Sequence, residues 1–309
     1  MENNNQNTIK YDDEIDLREL FNVLWAGNLK IITITAVFAF FSVVYALSAP
    51  NQYRAITLLA PAQSASSDLT GALGQMGGLA SLAGVSIGSE SSEAKTAQEI
   101  MKSWSFIESF INENNIAVEV YAATEWSKGS NELRIDDDLY DIETKTWLVE
   151  NNTGEAGPPS SWKLYQSFSE RLKVSEDVKS GLISVSIEYY SPEIAKQWLD
   201  LYVAAINSHM QERQVERVTN NINYLQAQIQ QTSMAEMREV FYNIIEEQTK
   251  NKMLAEASPD YVFVTVSPSM VPEKKSQPQR SFIFILGTLL GGMFSVLFVL
   301  VMHYVKKSD

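Results

Sequence analysis

The chain has 309 residues, 45% of them hydrophobic and 20% charged, proportions that allow an ordinary globular core. Its 38 acidic residues outnumber 24 basic ones, and the formal net charge of -14 argues against nucleic acid or anionic lipid headgroups as the main partner of any large domain. With no cysteine, disulfides, thiolate chemistry and cysteine-ligated zinc are excluded, and an oxidising compartment is permitted.

After a polar start, Glu14 to Trp25 reads as a short amphipathic helix with Ile15, Leu20, Phe21 and Leu24 on one side and Asp16 with Glu19 as a capping pair. Ile31 to Leu47 is an uninterrupted apolar run, matched near the other end by Phe282 to Val301, and each is close to the length of a bilayer-crossing helix. A lipid-exposed backbone must satisfy its own hydrogen bonds, so both runs are expected to be helices. Two spans put the ends of the chain in one compartment and roughly 230 residues in a domain on the other side. Flanking charge does not orient them: Lys30, Lys306 and Lys307 stand on one side, Arg54, Lys274, Lys275 and Arg280 on the other. Ala46-Leu47-Ser48 resembles a cleavage site, but Asp12, Asp13, Glu14, Asp16 and Glu19 occupy the place where a signal peptide is basic, so the first run is read as an anchor.

Gln52 to Ala60 reads as a strand, and Ser64 to Ser92, rich in Gly, Ala and Ser, as a loop, with a tightly packed segment as the alternative. Ala94 to Asn114 is helix-like, with Ile100, Trp104, Ile107 and Ile111 at helical spacing. The acidic stretch from Glu125 to Glu150, with Asp136, Asp137, Asp138, Asp141 and Glu143, lacks the spacing and turn glycine of a calcium loop and reads as a solvated face. Leu172 to Glu176 and Leu182 to Tyr190 flank a turn at Lys179, Ser180 and Gly181 and form a hairpin. Its second strand alternates Ile183, Val185, Ile187 and Tyr189 on one buried face.

From Pro192 a helical pattern runs to about Gln231 with no further proline or glycine, roughly 60 Å at 1.5 Å per residue. Val215, Val218, Ile222, Leu225 and Ile229 alternate three and four apart, the seam of a coiled coil, and are expected to form the interface of a helical arm or of an oligomer. A second helix, Ser233 to Glu256, carries Met234, Met237, Phe241 and Ile244, so the chain is expected to fold back near Thr232. Residues 219–231 lack charge and are rich in Asn and Gln, which suits packing between subunits or, alternatively, sugar hydroxyls. Tyr261 to Ser267 is a last strand that returns to the hairpin, followed by Pro268, Pro272 and Pro278 as a stiff lead into the second span. In that span Gly287, Gly291 and Gly292 form a small-residue face suited to close helix packing, although glycine is common in spans.

Catalytic chemistry finds little support. His209 and His303 have no carboxylate or second histidine at ligand spacing, no nucleophile-elbow pattern surrounds a serine, and no phosphate-cradling loop is present. No cofactor or metal is expected.

Four segments carry a resemblance: Asp13-Glu14-Ile15-Asp16-Leu17 with Leu24-Trp25; Ser160-Ser161-Trp162; Ser180-Gly181-Leu182-Ile183 through Tyr190-Ser191-Pro192; and the proline lead ending at Arg280. With the two-span layout, the chain resembles the Wzz-type polysaccharide chain length determinants, or polysaccharide co-polymerases, of the bacterial inner membrane. The resemblance implies both termini in the cytoplasm, a periplasmic domain, a ring-like homo-oligomer, and control of the modal length of O-antigen or a related glycan made by a separate polymerase. The implied partners are other copies of the chain, membrane lipids, the polymerase and its lipid-linked glycan. The proline segment has fewer prolines than the family's fuller pattern, and the Gly-rich stretch at 71–88 marks a subtype.

The expected fold is an α/β (α+β) membrane-proximal periplasmic domain with a long helical, coiled-coil arm, anchored by two transmembrane helices. Its parts are a cytoplasmic tail 1–28, span 29–49, base 50–191 with 258–279, arm 192–257, span 280–305 and tail 306–309. Three functions follow: a non-enzymatic scaffold, a regulatory subunit of a separate cytoplasmic tyrosine kinase acting in polysaccharide export, or a membrane-anchored hydrolase, which requires an acid/base pair in a cleft. The scaffold is the leading expectation, and residues 306–309 are too few for a kinase domain.

Overall fold

The structure, a computed structural model, describes residues 23–62, 89–149 and 156–308. Residues 14–22 of the expected amphipathic helix, with its capping pair, and 64–88 of the Gly-rich stretch lie outside the described residues. The chain forms two compact units: one ends at Pro50 and resumes at Gln277, and the other is Asn51–Ser276.

The first unit is a pair of helices, α1 (Asn28–Ser48) and, counting in chain order, α8 (Arg280–Ser308). Their apolar segments Asn28–Ser48 and Arg280–Val305 are long enough for the roughly 30 Å hydrocarbon layer of a bilayer. Most of their large side chains point outward, Phe40 at 66% and Leu289 at 62% exposure. A soluble core helix buries such residues, whereas an apolar surface of this length turned outward suits the hydrocarbon of a membrane, so the two helices read as membrane spans.

The second unit is α+β. Its elements are β1 (Tyr53–Pro61), α2 (Ser89–Lys102), α3 (Trp104–Glu113), α4 (Ala117–Ala122), β2 (Ala123–Ser127), β3 (Glu132–Ile135), β4 (Tyr140–Asp141), β5 (Thr146–Trp147), α5 (Ser161–Ser169), β6 (Leu172–Asp177), β7 (Leu182–Tyr189), α6 (Pro192–Gln231), α7 (Ala235–Ala257) and β8 (Phe263–Ser267). Four strands form an antiparallel sheet in the order β6-β7-β1-β8. The hairpin of β6 and β7 closes through Gly181, whose positive φ of 68° suits a residue without a Cβ, and through Asp177, which accepts from the Lys179 backbone N–H at 3.0 Å.

The alternation in β7 is realised: Ile183, Val185, Ile187 and Tyr189 are buried, opposite a β1 row of Ala55, Thr57 and Leu59. Helices α3, α5 and the start of α6 complete the core on that face. Aromatic rings dominate it, with Tyr202 edge-on to Phe110 at 4.8 Å and Tyr189 against Trp198 at 4.4 Å.

Two local expectations are corrected and a third gains detail. The helix expected over Ala94 to Asn114 is two helices, because Ser103 leaves helical geometry and its Oγ accepts the Phe106 N–H, capping α3. The acidic stretch is solvated, with Asp137, Asp138 and Glu143 exposed and Asp136 and Asp141 half-buried, and it is folded into two small hairpins, β2-β3 and β4-β5, built on cross-strand pairs such as Tyr140 with Trp147. The last strand, β8, pairs with β1 rather than with the hairpin.

Candidate functional site

The long helix is fixed at its start by local chemistry. Ser191 Oγ accepts the Ile194 N–H, and Pro192, with φ preset and no N–H to lose, takes the first helical position. From there to Met210 one face of α6 lies in the core; beyond Met210 its neighbour is α7, which returns antiparallel after Thr232.

Of the seam residues, Val218 is buried and Val215, Ile222, Leu225 and Ile229 are half-buried, on the arm whose second helix is α7. The opposing stripe on α7 is half-buried at Phe241, Ile244, Ile245 and Gln248, whereas Met234 and Met237 are exposed. Both helices also present apolar side chains outward, among them Tyr224, Val240, Tyr242, Met253 and Leu254. Asn220, Asn221, Asn223, Gln226, Gln230 and Gln231 point to solvent, and Gln228 is half-buried.

Two amides on α6 fasten the chain where the arm returns to the sheet, and the sequence reading missed both. Buried Asn207 accepts the Val262 and Phe263 N–H groups at 3.0 and 2.9 Å and donates to the Phe263 carbonyl at 2.9 Å. The register gives the reason: the Ala62 N–H donates to the Val262 carbonyl at 2.9 Å, so Phe263 and Pro61 are a non-hydrogen-bonded pair, and the Phe263 N–H and carbonyl point away from β1 to the open edge of β8, where they need another partner. One turn on, Gln211 Nε2 donates to the carbonyls of Ala255 and Ser258 at 2.8 and 3.2 Å, closing the end of α7. The available signal was a polar residue on the apolar face of Tyr202, Ile206 and Met210.

The spans pack antiparallel through small residues. A Cβ on Gly287 would fall 1.7 Å from Ser42 Oγ, and one on Gly291 would fall 2.5 Å from Phe38 Cβ, so the two glycines are where α1 and α8 come closest. Phe38 stacks on Phe294 at 6.1 Å, Thr35 and Ser295 share a hydroxyl hydrogen bond at 3.3 Å, and Arg280 Nε donates to the Ala46 carbonyl at 3.1 Å. Gly292 faces open space.

The proline lead has no regular helix or strand. Pro268 and Pro272 belong to the second unit and Pro278 to the first. Within the second unit the lead is held at Ser276, whose backbone N–H donates to the Gln52 carbonyl at 2.8 Å and whose single hydroxyl proton lies within reach of both that carbonyl and the Glu188 carboxylate. Buried Glu188 is paired with Arg54 at 3.2 Å.

His209 is exposed, edge-on to Phe106 at 5.4 Å, and His303 lies beside Tyr304 in α8. Burial pushes the hydroxyls of Tyr189 and Tyr202 well above the ordinary tyrosine range; both donate to carbonyls, of Glu119 and Met101, and serve as core fasteners. In the acidic stretch Asp141 is held below its ordinary value by hydrogen bonds from Thr144 and Glu143, a turn cap rather than a site. Among the described residues no three His, Asp or Glu side chains are grouped to hold a metal ion.

Residues 13–114 match the model of a family described as "Wzz: Chain length determinant protein". The match covers the N-terminal third, through the first span and β1 to the end of α3. Among solved structures, a "full-length bacterial polysaccharide co-polymerase" is 15% identical, covering 95% of this chain and 99% of its own, with a TM-score of 0.39. A fragment of WzzB, a polysaccharide co-polymerase from Salmonella Typhimurium, is 14% identical, covering 74% of this chain and all of its own, with a TM-score of 0.33. At those scores the overlays carry no argument about this fold, which rests on the elements above. No curated protein sequence matches the chain.

Proposed function

We propose that this chain is a bacterial inner-membrane protein that regulates the length of a surface polysaccharide, O-antigen or a related glycan, as a non-enzymatic scaffold. The observation that carries the reading is the match of residues 13–114 to the chain length determinant family. In this reading the termini lie in the cytoplasm, Asn51–Ser276 lies in the periplasm, and copies of the chain pack side by side next to a separate polymerase and its lipid-linked glycan. The outward apolar side chains of the arm support such packing, since water is a poor neighbour for Tyr224, Val240, Tyr242 and Leu254 together.

Deleting the gene and reading the glycan's length distribution on a gel is the decisive experiment. The expected result is loss of the modal length, restored by the intact gene and also by a copy with Asp136, Asp137 and Asp138 replaced by Asn. An unchanged distribution in the deletion strain overturns the reading. A reporter after Ser308 that works only in the periplasm overturns the orientation.

A further inference from the structure

Where α6, the end of α7 and β8 meet, a cleft of about 750 Å³ opens in the second unit. Its floor is rigid: Asn207 is consumed by the β8 backbone, Thr57 Oγ1 donates to the Ser267 carbonyl at 2.9 Å, and Ser269 donates to Asp200. Its walls are not consumed. Among the described residues the side chains of Ser208, Thr265 and Asp260 make no hydrogen bond, and Gln211 uses only Nε2, leaving Oε1 free. Asp200, Glu256 and Asp260 bring carboxylates to the lining; Lys196 pairs with Asp200 at 2.6 Å and Lys252 with Glu256 at 3.8 Å from outside it, which leaves Asp260 as the carboxylate without a cation partner among the described residues.

That set of groups defines a ligand by chemistry. With no Lys or Arg in the lining and the Asp260 carboxylate uncompensated, the cleft disfavours phosphates and acidic sugars. Two hydroxyls, a carboxylate and an amide oxygen, arranged in one concavity with Pro259 and Pro268 as flat apolar walls, match a ligand that offers many hydroxyl donors and some C–H surface. We propose that this cleft is a binding subsite for an uncharged sugar segment of the glycan, with Asp260 and Gln211 Oε1 accepting from sugar hydroxyls and Ser208 and Thr265 donating or accepting beside them. The assignment rests on the reading of the chain as a glycan-length regulator, and it adds a direct contact with the polymer.

The test uses the full chain in detergent and the cell's own surface polysaccharide, released from its lipid by mild acid, observed by ligand-detected NMR. The control is the same polysaccharide after periodate cleavage of its diols, and inorganic phosphate is added as a competitor. Ala204 is an exposed residue of α6 in the cleft wall, so Ala204→Trp fills the space without touching the core. Binding of the intact glycan by the wild type, indifference to phosphate, and weakening by about tenfold or more in Ala204→Trp and in Ser208→Ala/Asp260→Asn are expected. Absence of binding by the wild type, equal binding by the variants, or displacement by phosphate overturns the subsite. The deletion strain separates the two ideas. A changed length distribution without glycan binding sinks the subsite alone, and an unchanged distribution sinks the function on which it rests.

Discussion

Helix α6 passes through two environments along one unbroken run of backbone hydrogen bonds. From Pro192 to Met210 it is a core element: Ala195, Leu199, Tyr202 and Ile206 have no exposed surface, and sheet, α3 and α5 surround them. From Gln211 to Gln231 only Val218 is buried, the remaining seam residues are half-covered by α7, and Tyr224 is 65% exposed. The difference shows that a helix is no more stable than what it packs on: the first half shares the cooperative stability of the base, and the second rests mainly on α7, with one ion pair at its start from Arg217 to Glu93 of α2 at 3.4 Å. Substitutions in the two halves therefore act on different equilibria, one global and one local.

The largest effect is expected in the base. Tyr202→Ala removes a fully buried ring that touches Phe106, Phe110 and Phe168. The expected loss is about 4 kcal/mol of global stability, seen as an early or missing cooperative transition in the tryptophan fluorescence of the full chain in detergent. A melting curve superimposable on the wild type would mean that this half of α6 is no more integral than the arm.

Next in size is the junction. Asn207→Ala strands two N–H groups and one carbonyl at the start of β8, at a cost of about 3 kcal/mol, and Asn207→Asp keeps the acceptor but sets a carboxylate against the Phe263 carbonyl. Both are expected to lower the denaturation midpoint, Ala by the release of β8 and Asp by repulsion. If Asn207→Ala denatures like the wild type, water replaces the amide and the junction is no fastener.

These two sites mark the limit of what the sequence disclosed. The bounds of α6 were readable because a Ser-Pro cap opens it and neither glycine nor proline interrupts it, and β7 was readable because its burial is one-sided. Pairing of β8 with β1 was not, since period-two alternation names a face but not a partner. Asn207 escaped for a related reason: its role depends on the open edge of β8 lying beside α6, a long-range fact that no local pattern encodes. The close approach of Gly287 to Ser42 likewise needed the second helix in place, although the glycines themselves were visible.

In the arm, Ile222→Asp with Leu225→Asp puts charge into the half-buried seam, and about 2 kcal/mol of local stability should go with it. Hydrogen exchange should then accelerate over 215–250 while the amides of 195–208 stay protected. Loss of protection in both halves at once would show that α6 behaves as one unit, against the distinction drawn above. Native mass measurement of the same variant reports separately whether the seam also holds copies together.

The smallest effect belongs to an ion pair on the outer surface of the arm. Glu246 and Lys250 lie one turn apart on α7, 2.8 Å from each other and both well exposed. The hydrogen bond from Lys250, and then its charge, hold the Glu246 carboxyl below its ordinary value near 4.5, and the same two causes hold Lys250 above its ordinary value near 10.5. A carboxyl lowered in the native state contributes above its unfolded value and loses that contribution as pH falls through the native one. An ammonium raised in the native state contributes below its unfolded value and loses it as pH rises through the native one. The pair therefore contributes fully in a window from about pH 4.5 to about pH 10.5; beyond it the contribution fades as pH falls through the lowered Glu246 value or rises through the raised Lys250 value, and only past those values should Glu246→Gln and wild type be indistinguishable. Inside it, Glu246→Gln should speed hydrogen exchange slightly in the middle of α7, and added salt should shrink the difference because the pair is solvated. No change should reach 195–208. A detectable shift there would join the two halves of α6 energetically, whereas a difference confined to α7 and erased by salt fits a helix whose outer half answers mainly to α7.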